Sequence, residues 1–145
     1  MRKFILTLAV PVLLSACADK PMAEQGPVVN EETTKSVLEH HLNAFQANDL
    51  EATMADYTEE SVLITPDKTF TGLAEIRGNF EGAFAVLPKD STTFNVNKTV
   101  VVNDMAYIIW DAVTPTLNFS FGTDTFIVQD GKIVRQTFAG VIIPK

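Results

Sequence analysis

From about residue 92 onward the chain carries an almost unbroken strand pattern, and this restricts its possible folds more than any other feature. Residues 92–102 are rich in threonine and valine, Asn103-Asp104 reads as a turn, and residues 105–114 follow with Tyr107, Ile108, Ile109 and Trp110. Residues 116–128 bring Phe119, Phe121, Phe126 and Val128. Asp130-Gly131 is the dipeptide of a tight hairpin, and residues 132–140 return from it. β-Branched and aromatic side chains suit a pleated, half-buried surface. A meander of this kind must cover one face with other elements.

The residues ahead of it supply helices. Thr33 or Thr34 can cap a helix over 35–47, on which Leu38, Leu42 and Phe45 recur at helical steps. Asn48 interrupts it, and Asp49 caps a second short helix over 50–57. Val62, Leu63 and Ile64 make a short strand ending at Pro66, followed by a turn at 66–68 and a brief return at Phe70-Thr71. Gly72 precedes a third helix over 73–86, with Ile76, Phe80, Phe84 and Leu87 on one stripe and Pro88 as its stop. Gly78 and Gly82 lie four apart on it, either permitting close backbone approach or weakening an exposed face. The expected architecture is α+β: three N-terminal helices packed on a strongly curved antiparallel sheet, a cone with room for an interior pocket. Nothing suggests a second domain or an internal repeat.

The N-terminus reads as an address. Met1-Arg2-Lys3 is followed by the apolar run FILTLAVPVLLSA, too short for a bilayer-spanning helix of about 20 residues and interrupted by Pro11. Its end, Leu14-Ser15-Ala16-Cys17, resembles the bacterial lipobox, which implies cleavage before Cys17 and lipidation of that residue, with diacylglycerol on sulfur and an acyl group such as palmitate on the new amino terminus. Cys17 is the chain's one cysteine, so no internal disulfide is possible. Ala18 at the following position leans toward the outer membrane, facing the periplasm. The expected divisions are a signal peptide at 1–16, a lipidated cysteine and flexible tether at 17–33, and one domain at 34–145. The full chain of 145 residues carries a formal −7. Removal of the first sixteen leaves 129 residues with nine basic against eighteen acidic side chains, a formal −9. Such a surface is repelled by anionic lipid, so anchoring falls to the acyl chains. It also argues against a nucleic-acid partner, as does the lack of basic residues interleaved with the aromatics.

The runs NAFQANDLEATMADYTEESVLITPD, FTGLAEIRGNF and DTFIVQDGKIVRQTFAG resemble the nuclear transport factor 2-like superfamily in its SnoaL-like branch, across about residues 33–142. The resemblance implies the cone-shaped fold. It does not choose among isomerases, cyclases, dehydratases, hydrolases and binding domains. Ketosteroid isomerase, a distant relation in that superfamily, uses a general-base aspartate and an oxyanion hole of a tyrosine and a protonated aspartic acid. Carried over, the base falls on Thr65, which cannot serve, the tyrosine on His41, and the acid on Asp124. One of three positions matches.

The residues themselves nominate His41 and Asp124. His41 stands on the stripe of Leu38 and Phe45, whereas His40 should be exposed; neighbours on a helix point about 100° apart, so the two histidines should not share one small site. Alternation places Asp124 with Ser120, Gly122, Phe126 and Val128, opposite Phe119, Phe121 and Ile127. A carboxyl group among apolar side chains can be raised in pKa and act as an acid or hydrogen-bond donor. Tyr57, Thr65, Trp110 and Phe126 are the expected pocket lining. Asp111 follows Trp110 with the opposite parity, Arg77 and Arg135 belong at the surface, and Glu59-Glu60 form a solvated turn. There is no metal motif, phosphate loop or recognisable nucleophile motif, and no cofactor is expected. The function expected is binding of a small apolar or amphipathic molecule in the cone. The alternatives are an isomerase, cyclase or hydratase-like enzyme using His41 with Asp124, or a non-catalytic dimeric scaffold. Apolar residues on both faces of 119–128 support a homodimer through the sheet.

Overall fold

Helix α1 (Glu31–Gln46) opens the fold of a computed structural model that describes residues 26–145. The expected signal peptide, Cys17 and residues 18–25 of the tether lie outside that range. The helix starts earlier than the threonines suggest. Asn30 is the cap, its side chain accepting from the Thr33 amide at 3.1 Å, and Glu31 and Glu32 complement the first turn. Thr34 is fully buried instead, and its hydroxyl donates to the carbonyl of Asn103 at 2.8 Å. The end of the expected tether is therefore docked. The Val28 amide donates to the Asp130 carboxylate, and the Asp130 amide donates back to the Val28 carbonyl at 3.0 Å.

Asn48, in the left-handed conformation at φ 51°, turns the chain out of α1, and Asp49 caps α2 (Leu50–Met54) through the Ala52 amide. Asn48 also donates to the Leu87 carbonyl and accepts from the Lys89 amide at 2.7 Å, tying this corner to the end of α3 (Gly72–Val86). Strands β1 (Val62–Ile64) and β2 (Thr69–Thr71) stand between α2 and α3, so the three helices are not one N-terminal block.

The sheet has six strands in the order β2-β1-β6-β5-β4-β3, the last four being β3 (Thr93–Val102), β4 (Met105–Val113), β5 (Leu117–Gln129) and β6 (Lys132–Pro144). The sheet is not wholly antiparallel, because Val62 to Ile64 run parallel to Arg135 to Thr137. No hairpin joins these two strands; residues 65–131 separate them in sequence, and such a connection permits either direction. Asp130 and Gly131, at φ 52° and 71°, make the two-residue turn that the right-handed twist of a hairpin favours.

Strand bulges curve the sheet. Register shifts occur at Val96/Lys98, Trp110/Ala112 and Phe119/Phe121. The last moves Phe119 onto the buried face with Gly122, Asp124 and Phe126, against simple alternation. Opposite it, Trp110 lies flat over Gly122, between the rings of Phe94 and Phe138 at centroid distances of 4.9 and 5.8 Å. A β-carbon at position 122 would overlap the indole. Gly122→Ala is therefore expected to cost about 1–3 kcal/mol by overpacking, read as a lower urea midpoint with an unchanged m-value.

Candidate functional site

The concave face of the sheet and the inner faces of α1 and α3 enclose a cavity of about 810 Å³. Its walls are aromatic and aliphatic, with Phe45, Phe80, Phe94, Phe119 and Phe138 among them. Of the residues nominated from sequence, His41, Asp124, Thr65, Trp110 and Phe126 line it. Tyr57 does not. It is buried behind the wall, its ring against those of His41 and Phe80, because the chain leaving α2 runs beneath α1 and not along the opening. Thr65 sits at the mouth with its hydroxyl committed to both backbone groups of Lys68.

Polar groups cross the interior in one line, hydrogen-bonded from Trp110 to Tyr57 and again from His41 to His40 through Asp56. The Asp124 carboxylate accepts from Trp110 Nε1 at 2.7 Å and from Gln136 Nε2 at 2.8 Å. The Gln136 side-chain carbonyl accepts from the Tyr57 hydroxyl. Tyr57 Oη lies 3.5 Å from His41 Nε2, and His41 Nδ1 lies 3.2 Å from Asp56 Oδ2. The other oxygen of Asp56 meets His40 Nδ1 at 2.8 Å. His41 and Asp124 thus share a network without touching; Tyr57 and Gln136 stand between them.

The two histidines do share one partner. His40 has a half-exposed side chain and His41 is buried, yet each takes one oxygen of Asp56. The 100° between neighbouring helix positions is bridged because a carboxylate offers two acceptors, and the α1–α2 corner brings Asp56 back over α1. Paired through Nδ1 with a carboxylate, His41 has its ring orientation and tautomer set, and Nε2 is the nitrogen left toward Tyr57.

Burial raises the pKa of Asp124 above the ordinary carboxylate value, opposed by the hydrogen bonds from Gln136 and Trp110 and by His41. Burial also drives Tyr57 well above the usual phenol value, with the charges of Asp124 and Asp56 adding to the effect. Tyr57 is consequently a hydrogen-bond donor at neutral pH, not a base. Asp111 is on the convex face, where Asn97 and Asn95 donate to it and lower its pKa. Arg77 makes an exposed two-point pair with Glu51, and Arg135 donates to backbone carbonyls; neither reaches the cavity.

Sequence reasoning missed Asp56 and Gln136. Asp56 precedes Tyr57 just after a short capped helix, a place from which the chain can fold back over α1. Gln136 stands on the inward row of β6 with Phe138, facing Phe126, a polar residue where an apolar one would be usual. Gly78 and Gly82 gain a role as well: both lie at the cavity, exposed, and a β-carbon on either would meet nothing within 4 Å. They keep the mouth wide.

With the geometry in hand, the family is clear. The SnoaL-like domain model matches residues 38–136, and the chain belongs to that family. Comparison with curated protein sequences gives no match. Among solved structures the chain is similar to a candidate ketosteroid isomerase from Kribbella flavida DSM 17836, at 16% identity over 78% of this chain and 81% of that one, with a TM-score of 0.66. It is also similar to a nuclear transport factor 2-like protein of unknown function from Mesorhizobium loti, at 24% identity over 79% and 96%, TM-score 0.64. A de novo designed protein with a curved β-sheet matches at 14% identity over 77% and 88%, TM-score 0.66. At these identities the likeness is one of fold.

Two expectations follow. The folded chain holds a proton on Asp124 more tightly than the unfolded chain does, so this residue's contribution to stability is full below the ordinary carboxylate value of about 3.9 and falls as pH rises through the higher folded-state value. Urea unfolding of wild type and Asp124→Asn across that range should show the wild type losing ground against the variant as pH increases. Gly82→Ala, in an open helical position, should raise stability by roughly 0.5–1 kcal/mol in the same assay.

Proposed function

We propose that this chain is a lipid-anchored periplasmic domain that takes a small apolar or amphipathic molecule into its cone-shaped cavity. The observation that carries the reading is an aromatic-walled space of about 810 Å³ with a few convergent polar groups on its wall. Ligand sites of soluble proteins run from about 300 to 1,000 Å³ and share that make-up. The apolar body of the ligand would be buried among the rings, and Asp124, Gln136 and His41 would orient its polar group. Lipidation at Cys17 and residence at the outer membrane rest on the N-terminal sequence alone.

A second reading is catalytic, an isomerase, cyclase or hydratase-like reaction. The pairing of His41 with Asp56 favours it, since a histidine oriented by a carboxylate is the usual form of a general base. Without direct contact between His41 and Asp124, the two would act on different atoms of one substrate. Pairing of two copies remains part of the proposal. The convex face carries exposed Val100, Val102, Met105, Phe121 and Val141, and among the described residues no helix packs over it.

Native mass spectrometry of the full-length protein purified from its own envelope tests these together. A retained small molecule is expected on a palmitate-labelled dimer, and Cys17→Ser should abolish labelling and release the protein from the membrane fraction. A ligand-free species would remove the binding reading, a monomer the pairing, and unchanged labelling of the variant the anchor.

A further inference from the structure

The charge on the cavity wall selects among apolar ligands. Among the described residues no lysine or arginine lines the cavity, whereas two carboxyl groups do, Asp124 inside and Asp67 at the mouth. Lys68, beside Asp67, lies over Phe70, itself a lining residue, with Nζ 4.6 Å from the ring centroid, so the mouth carries one formal charge of each sign. The interior bias rests on Asp124. Its oxygens accept from two neutral donors, the Trp110 indole and the Gln136 amide, and among the described residues no cationic side chain is hydrogen-bonded to it. His41, the other titratable group on the wall, is turned through Nδ1 to Asp56, and its Nε2 faces Tyr57. Asp124 is thus a buried carboxyl group that His41 influences only from a distance, with no cation in contact among the described residues, in an enclosure whose lining includes Trp110, Phe119, Phe126 and Phe138.

Such an enclosure discriminates strongly by charge. A carboxylate or phosphate ligand would bring a second negative group beside Asp124 in a low-dielectric space, with no lysine or arginine to meet it. An ammonium group would supply the missing counter-ion and place its C–H and N–H surface against ring faces, where cations are attracted to the π-system. The acidic excess of the chain, a formal −7, steers approach in the same sense.

Resting on the proposed binding function, we propose that the cavity selects cationic amphiphiles, that is, organic amines with an apolar body, over neutral and especially over anionic molecules of the same shape. Asp124 is the specificity-determining residue. The apolar walls bind the body, and the carboxylate chooses the head.

Trp110 is the chain's one tryptophan, it lines the cavity and it is bonded to Asp124, so its fluorescence reports directly. The full chain is titrated at neutral pH with decylamine, decanol and decanoate below their aggregation limits. The amine should bind at least about tenfold more tightly than the alcohol, and the carboxylate more weakly than either, a tenfold step being about 1.4 kcal/mol. Asp124→Asn should bring amine and alcohol within about twofold of each other while the alcohol still binds. Decanoate binding as well as the amine, or an amine preference that survives Asp124→Asn, would overturn the charge selection and leave the cavity a general apolar site. Failure of all three probes to bind wild type would overturn the binding function itself. The ranking on wild type decides the matter even if the variant does not fold.

Discussion

A buried carboxyl group governs the interior of this domain. Asp124 stands on the concave face of the longest strands, and a carboxyl group there is tolerable only if its oxygens are occupied. Trp110 and Gln136 occupy them. The bond from Trp110 requires the indole to lie flat on the sheet, which requires the absence of a side chain at Gly122. Gln136 in turn engages Tyr57, whose hydroxyl approaches His41. Hydrogen bonds to charged groups are worth about 1.5–3 kcal/mol each, and an unmet partner costs as much again. The network therefore holds strands β4, β5 and β6 and the chain after α2 to one arrangement.

The same arrangement keeps the cone hollow. The bulges at Trp110/Ala112 and Phe119/Phe121 curve the sheet, and the rings that fall on the concave side line the space without filling it. On the helical side, Gly78 and Gly82 leave unfilled what ordinary helix formers would close, at a cost in helix stability of up to about 1 kcal/mol each. A chain selected for stability alone would have little use for either choice. A de novo designed protein with a curved β-sheet has a similar fold.

Much of the fold was legible because its signals are local. The alternation in β4, the Asp130-Gly131 turn, Asp49 as a cap and Pro88 as a stop each rest on a few neighbouring residues, and the elements formed close to where those signals put them. What was not legible depends on distance. Asn30 displaced Thr33 and Thr34 as the cap because Thr34 was drawn to Asn103, sixty-nine positions away. Phe119 changed faces through a bulge that alternation cannot foresee, and β1 took its parallel place beside β6 for reasons outside its own three residues. In the site, His41 and Asp124 could be nominated as polar residues on apolar faces. Asp56, between the two histidines, and Gln136, between Tyr57 and Asp124, became visible only once the corner after α1 and the β5–β6 register had formed.

The short exchange of hydrogen bonds between Val28 and Asp130 has a geographical consequence. It fixes the N-terminal segment to the β5–β6 turn, whereas the glycines of α3 and the residues Gly140 and Ile142 surround the cavity's opening near the other end of the same hairpin. Most of the length of β5 separates the two. Among the described residues, the docked segment at Val28 and the cavity's opening therefore lie toward opposite ends of one hairpin, so a side chain changed at one end leaves the other untouched.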